Sequence, residues 1–188
     1  MSLPADIKRI EDELDAAESD ARALIAGLTE AHAGWRAQPG SWSVAQCLDH
    51  LGITNRAYLA AMEKPANRAR QHGRLRRRET VPGWIGGLFV RMIEPPVRAR
   101  IKAPQSIVPS TVPKLADAFR CVLAEQDNVR AFLHTHNDLD LASVRYPNPF
   151  MPGVRFSLAT GLHIIVAHER RHLWQAWRAR KAAEAAPE

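Results

Sequence analysis

The segment His163-Ile164-Ile165-Val166-Ala167-His168-Glu169-Arg170-Arg171-His172-Leu173-Trp174-Gln175 carries two histidines four residues apart, His168 and His172. On a helix that spacing sets both imidazoles on one face, one turn apart, where they can hold one metal ion. The neighbouring residues predict the helix. Leu158, Leu162, Ile165, His172 and Ala176 share an inner side, and Ser157 stands where an N-cap belongs. The pattern runs from Leu158 to about Ala183. Glu169 between the histidines completes a literal H-E-x-x-H, the motif of zinc proteases.

Three further helical patterns lie upstream. Ile7, Ile10, Leu14, Ala17, Ala21, Leu24 and Leu28 recur at three and four between Pro4 and about Ala31, with acidic residues on the other faces. A second helix is predicted from Val44 to about Lys64. Ser43 and Gln46 are spaced as a capping box at its start, and Trp42 is placed as a hydrophobic staple. A third is predicted from about Val112 to His134, with Ser110 or Thr111 as its cap. Leu115, Phe119, Val122, Gln126, Val129 and Leu133 keep an a/d-like spacing there. Gln126, the polar member, is expected to make a core hydrogen bond. No stretch alternates as a strand over a useful length, so the expected fold class is all-α.

Six prolines, Pro65, Pro82, Pro95, Pro96, Pro104 and Pro109, rule out one long helix across residues 65–110. A short helix is predicted within Gly83–Glu94, where Trp84, Ile85, Leu88, Phe89 and Met92 are apolar. Its apolar face needs cover from its own bundle or from a second copy, and a homodimer is one expectation. Antiparallel neighbours need only short loops. A connection this long therefore predicts that the helices on either side run parallel. Residues 135–156, with Pro147, Pro149, Pro152 and Gly153, are expected to form a loop over one end of the bundle.

At 188 residues and 46% hydrophobic, the chain is expected to be a single domain over 1–188 with one sizeable core. No run of about 18 apolar residues exists, so no membrane span is predicted. Met1-Ser2-Leu3-Pro4-Ala5-Asp6 does not read as the start of a signal peptide. Cys47 and Cys121 are isolated and read as buried thiols in a reducing cytosol, so a cytoplasmic location is expected. Net charge is +6, and much of it falls on Lys64, Arg68, Arg70, Arg74, Arg76, Arg77 and Arg78. No interleaved aromatics or nucleic-acid motif accompany this run. It reads as a solvated loop and not as a nucleic-acid site.

A catalytic metal site uses about three protein ligands and leaves a position open. His163 lies about 140° around the helix from His168 and cannot readily share its metal. His32, His72, His134 and His136 sit at helix ends or in loops. His50 is mid-helix on a different, mostly apolar helix and is the best third ligand. The protease reading lacks its downstream ligand. Gln175 stands three past His172 where a Gly is needed, and Arg178 stands six past it where a His is needed. Glu184 and Glu188 lie in an Ala-rich tail not expected to fold back, and no sheet edge is predicted to hold a peptide. Metalloprotease activity is therefore not expected. Glu169 remains the one candidate general base. It points about 100° away from His168, and a salt bridge with a neighbouring arginine is its expected role. Cys47, one turn before His50, is a further candidate to approach the metal. Asp49 and Gln175 are candidates to hydrogen-bond the ligands.

The segment Trp42-Ser43-Val44-Ala45-Gln46-Cys47-Leu48-Asp49-His50-Leu51 resembles the second-helix motif of the DinB-like superfamily, a Trp-Ser/Thr start and a helix ending in His-Leu. The segment His168-Glu169-Arg170-Arg171-His172-Leu173-Trp174-Gln175 resembles its fourth-helix motif, two histidines four apart and then Gln. The resemblance implies a four-helix bundle running up-down-down-up, with a long connection between helices 2 and 3 that corresponds to residues 65–110. The strongly basic, Pro-rich character of that connector departs from the family pattern. Carried over residue by residue, the resemblance implies a divalent metal held by His50, His168 and His172, with open positions facing a pocket. Imidazole ligation suits zinc or nickel, then iron or manganese. The resemblance further implies a metal-dependent enzyme acting on a small molecule. It would be an S-transferase using a low-molecular-weight thiol such as bacillithiol or mycothiol, or a hydrolase. The alternative is a non-catalytic bundle that binds a ligand or partner, its site structural or degenerate.

Overall fold

Residues 3–96, 104, 107–109 and 113–186 are described by a computed structural model. Along them run α1 (Ala5–Ile25), α2 (Glu30–Gly34), α3 (Val44–Gln71), α4 (Trp84–Ile93), α5 (Leu115–His136), β1 (Arg145–Pro147), β2 (Arg155–Ser157) and α6 (Leu158–Glu184). The helices dominate, as the apolar periodicity predicts.

The bounds differ from the sequence pattern where a local residue overrides it. The first pattern is two helices, not one. The chain leaves helical geometry after Ile25, and Gly27 takes φ +69, which a side chain disfavours. α2 then starts afresh, with Thr29 accepting a hydrogen bond from the His32 amide. α3 does not stop at Lys64. Pro65 lies inside it, and the helix runs on to Gln71. Proline removes one intrahelical hydrogen bond. Burial of Ala66 and Ala69 in the core offsets that loss. The expected caps Ser110 and Thr111, and the expected start at Val112, lie outside the described residues. At α5 the first amide, Leu115 N–H, donates to Glu30 of α2 at 3.1 Å. Residues 135–156 are not all loop: β1 and β2 pair antiparallel, Tyr146 opposite Phe156. Each strand is three residues long, too short for alternation to show in the sequence.

The capping box forms as predicted. Ser43 Oγ accepts from the Gln46 amide and Gln46 Oε1 accepts from the Ser43 amide, both at 3.2 Å. α3 then packs along α5 in the same direction. Cys121 lies against Gly52, Glu125 meets Arg56, and Asp138 meets Arg70, so partners advance together along both helices. A Cβ added at Gly52 would lie 2.5 Å from Cys121 Sγ, which shows how closely the backbones approach. α3 runs against α6, with His50 meeting His168, Asn55 meeting Glu169 and Met62 lying at Gly161.

Two apolar clusters fill the interior. One includes Ile7, Ile10, Leu14, Met62, Leu133 and Ile165. The other includes Ala21, Leu24, Leu48, Leu51, Val122 and Leu173. Between them lies a buried polar layer. It holds Thr54 and Asn55 from α3, Glu125 and Gln126 from α5, and Glu169 and His172 from α6. α4 packs on α6 through Gly86 and Ile93, and Phe89 meets Phe156. Its other face is bare: Trp84 is 85% exposed and Ile85 68%. Among the described residues, no helix is long and apolar enough to cross a membrane.

Much of the basic segment is used to fasten the chain. Arg70 pairs with Asp138, Arg78 with Asp140, and Arg76 with Asp6 at 2.5 Å. Asp6 also accepts the Thr80 amide at 2.5 Å. Burial alone would raise the Asp6 value, but the hydrogen bonds from Arg76 and Thr80 outweigh it and hold it at about 2. A carboxylate held down in this way stabilises the fold above its unfolded value of 3.8 and loses that contribution as pH falls through about 2. Asp6→Asn is therefore expected to lower Tm at neutral pH. The gap to the wild type should close between about pH 4 and pH 2 in thermal melts.

Candidate metal centre

The last helix presents His168 and His172 one turn apart, and α3 brings His50 across to them. The three rings lie edge to face or tilted. Centroids are 5.0 Å apart for His50 and His168, 4.5 Å for His50 and His172, and 4.4 Å for His168 and His172. One nitrogen from each ring lies within 4.8 Å of the other two. Two nitrogens that ligate one zinc are at most roughly 4 Å apart, so the observed spread is close to that of a ligand set.

The hydrogen bonds orient the first ring. His50 Nδ1 lies 2.7 Å from the carbonyl oxygen of Ile107. A carbonyl only accepts, so Nδ1 carries the proton and Nε2 carries the lone pair. That Nε2 faces His168 Nε2 at 3.3 Å. Anchoring the far nitrogen of a ligating histidine on a carbonyl is the usual way to aim the near one. Nδ1 of His168 and Nδ1 of His172 are buried with no hydrogen-bond partner.

Burial keeps the rings neutral, as ligation requires. It pushes His50 down to about 4, against the opposing pull of its bond to Ile107. Burial also drives His168 and His172 well below the ordinary histidine range. The mutual repulsion of the rings and the charge of Arg171 act in the same direction. Gln175, one turn on, works the other way on His172. Trp42 closes one side. Its ring stacks on His172 at 5.6 Å and tilts against His50 at 4.6 Å.

The structure places the remaining candidates elsewhere. Glu169 is fully buried and makes no salt bridge with a neighbouring arginine, contrary to its expected role. It accepts from Asn55 Nδ2 at 2.7 Å and Gln126 Nε2 at 2.8 Å. Burial lifts its value to about 7, with those two hydrogen bonds opposing. The ion pairs next to it belong to Arg170, which binds Glu94 and Glu13. Gln126 thus makes the expected core hydrogen bond. Cys47 does not approach the rings. It is buried in the apolar cluster below them, and burial pushes its thiol far up. Asp49 interacts with Arg56 and Cys121 on the α5 side, not with the histidines. His163 donates to the Thr80 carbonyl at 3.0 Å, and His134 meets Glu11 at 2.8 Å.

Sequence reasoning missed three participants. Trp42 is a wall of the site as well as part of the helix start. Ile107 acts through its backbone, which no motif displays. Asn55 lies on the inner face of α3, four beyond Leu51, and a polar residue in that register was the available signal.

Residues 13–176 of the chain match the family model described as the DinB superfamily. No curated protein and no solved structure matches the chain significantly.

Glu169 answers two amide donors whose own oxygens, Asn55 Oδ1 and Gln126 Oε1, are buried without partners. Glu169→Ala strands both amides and is expected to cost about 2–4 kcal/mol in urea unfolding. Glu169→Gln can accept from one amide and donate to the other after it flips. It should cost less than half as much, and equal losses for the two variants would contradict this role.

Proposed function

The chain belongs to the DinB superfamily, and on that premise we propose that it is a metal-dependent enzyme acting on a small molecule. His50, His168 and His172 would hold a divalent ion, zinc or nickel before iron or manganese. The observation that carries the proposal is the turning of His50 Nε2 onto the His168/His172 pair by the Ile107 carbonyl. Such an ion supplies Lewis acidity and lowers the proton affinity of a thiol or a water at an open position.

The protein groups set what else the site does. Cys47 is sequestered in the core, and Glu169 is turned to Asn55 and Gln126. Neither is available as nucleophile or general base, so the nucleophile arrives from solution. Arg171 adds positive potential at all three rings. No carboxylate joins the three-histidine group among the described residues. A positive site without a carboxylate favours an anionic nucleophile, and a low-molecular-weight thiol as thiolate meets that requirement better than water. We therefore place thiol S-transfer ahead of hydrolysis. Trp42 offers an aromatic face beside His50 and His172 for an apolar acceptor.

A second reading has its own observation. His50 and His172 are buried, with 1% and 7% exposure. Such enclosure favours a structural metal in a bundle without catalysis.

Protein purified without chelator is expected to hold a divalent metal by elemental analysis and to gain thermal stability from Zn²⁺ or Ni²⁺. His50→Ala and His172→Ala should each weaken metal affinity at least about 10–100-fold, the range that changes beside a ligand already produce. A metal-free wild type that gains no stability from either ion overturns the centre. A thiol panel with chloro-aromatic and epoxide acceptors, run beside amide substrates, tests the reaction. Thiol-dependent product that His50→Ala does not form is the expected result. Retained metal with no turnover on either set favours the structural reading.

A further inference from the structure

The basic segment divides into two populations. Arg70, Arg76 and Arg78 each pair with an aspartate. Lys64, Arg68, Arg74 and Arg77 do not, and among the described residues they form no ion pair. Lys64, Arg68 and Arg74 line a groove of about 620 Å³ between the second half of α3 and the β1–β2 hairpin. Arg145 and Arg155 line it from the hairpin, and His72 joins them from the end of α3. No carboxylate lines the groove.

Independent tethers hold these cations together. The hairpin register pairs Arg145 with Ser157 and Pro147 with Arg155, which puts both arginines on its outward face. Arg155 also donates to the Arg145 carbonyl at 3.4 Å. The Arg74 carbonyl accepts the Asp140 amide at 3.0 Å, and Leu75 bridges to Leu139. The end of α3 is thus fastened to the segment that leads into the hairpin. Like charges held side by side repel unless an anion lies between them.

We infer that this groove binds a small oligophosphate anion, through the guanidinium groups of Arg68, Arg74, Arg145 and Arg155 and the ammonium of Lys64. Guanidinium forks bind phosphate oxygens in pairs, and several forks around one groove suit more than one phosphate. The volume lies in the range of small-molecule sites. No Phe, Tyr or Trp lines the groove, and His72 alone is no stacking platform for successive bases of single-stranded nucleic acid. No large exposed apolar residue lines it either, which disfavours insertion into a lipid surface. The inference is independent of the metal centre.

Calorimetric titration of the full-length protein with sodium tripolyphosphate at low ionic strength tests it. Saturable binding is expected, weakening as salt rises. Arg68→Gln with Arg155→Gln should weaken it at least about ten-fold, the effect of losing one charge-assisted hydrogen bond. Both side chains are exposed, and unchanged melting of the double variant certifies its fold. Arg120→Gln removes an exposed charge on α5, paired with Asp117, and should leave affinity unchanged. His50→Ala should also leave it unchanged. Absence of binding, or equal loss with Arg120→Gln, would reduce the effect to net charge and overturn the proposal. Loss with His50→Ala would move the ligand to the histidines and overturn it as well. Tighter binding of a single-stranded oligonucleotide than of tripolyphosphate, lost in the same double variant, would replace the small ligand with nucleic acid.

Discussion

The carboxyl group of Glu169 is buried at the point where α3, α5 and α6 meet, and it takes one amide donor from each of the two facing helices. A carboxyl without water needs such partners, and its proton affinity shows the strain of the setting: burial lifts it to about 7 even with both donors in place. α6 can satisfy this group in only one rotational setting. That setting turns His168 and His172 toward α3, because they share the segment with Glu169. The polar layer therefore orients the helix that carries two of the three candidate ligands. Apolar contacts above and below it supply the stability but tolerate rotation and sliding far better than a pair of hydrogen bonds does.

This dependence explains which features the sequence displayed. Histidine spacing, the Ser43–Gln46 box and the periodicity of the long helices are local, so they are readable within a few residues. The parallel run of α3 and α5 was legible too, because the length of the connector demands it. The role of Glu169 was not. Its partners lie 114 and 43 residues away, and the arginines beside it in sequence offered a closer but wrong answer. Gln126 stands out as the polar member of an apolar seam, and Asn55 holds an equivalent inner position on α3. Read together, the two would have pointed to a buried acceptor between them. Pro65 misled for the opposite reason: a local rule against proline lost to the burial of Ala66 and Ala69 on the following turn. The hairpin escaped because strands of three residues carry no period.

The connector contributes to the centre as well as joining two helices. A chain that must return to run parallel with α3 has to cross the bundle, and the crossing is fastened at named points. Asp6 holds Arg76 and the Thr80 amide, His163 holds the Thr80 carbonyl, and Arg170 holds Glu94. Farther along, Ile107 delivers its carbonyl to His50. The tethers at His163 and Arg170 stand on α6, on either side of His168. The helix bearing two histidines is therefore fixed directly to the first part of the connector. The aiming of His50 Nε2 depends on that crossing as much as on α3 itself.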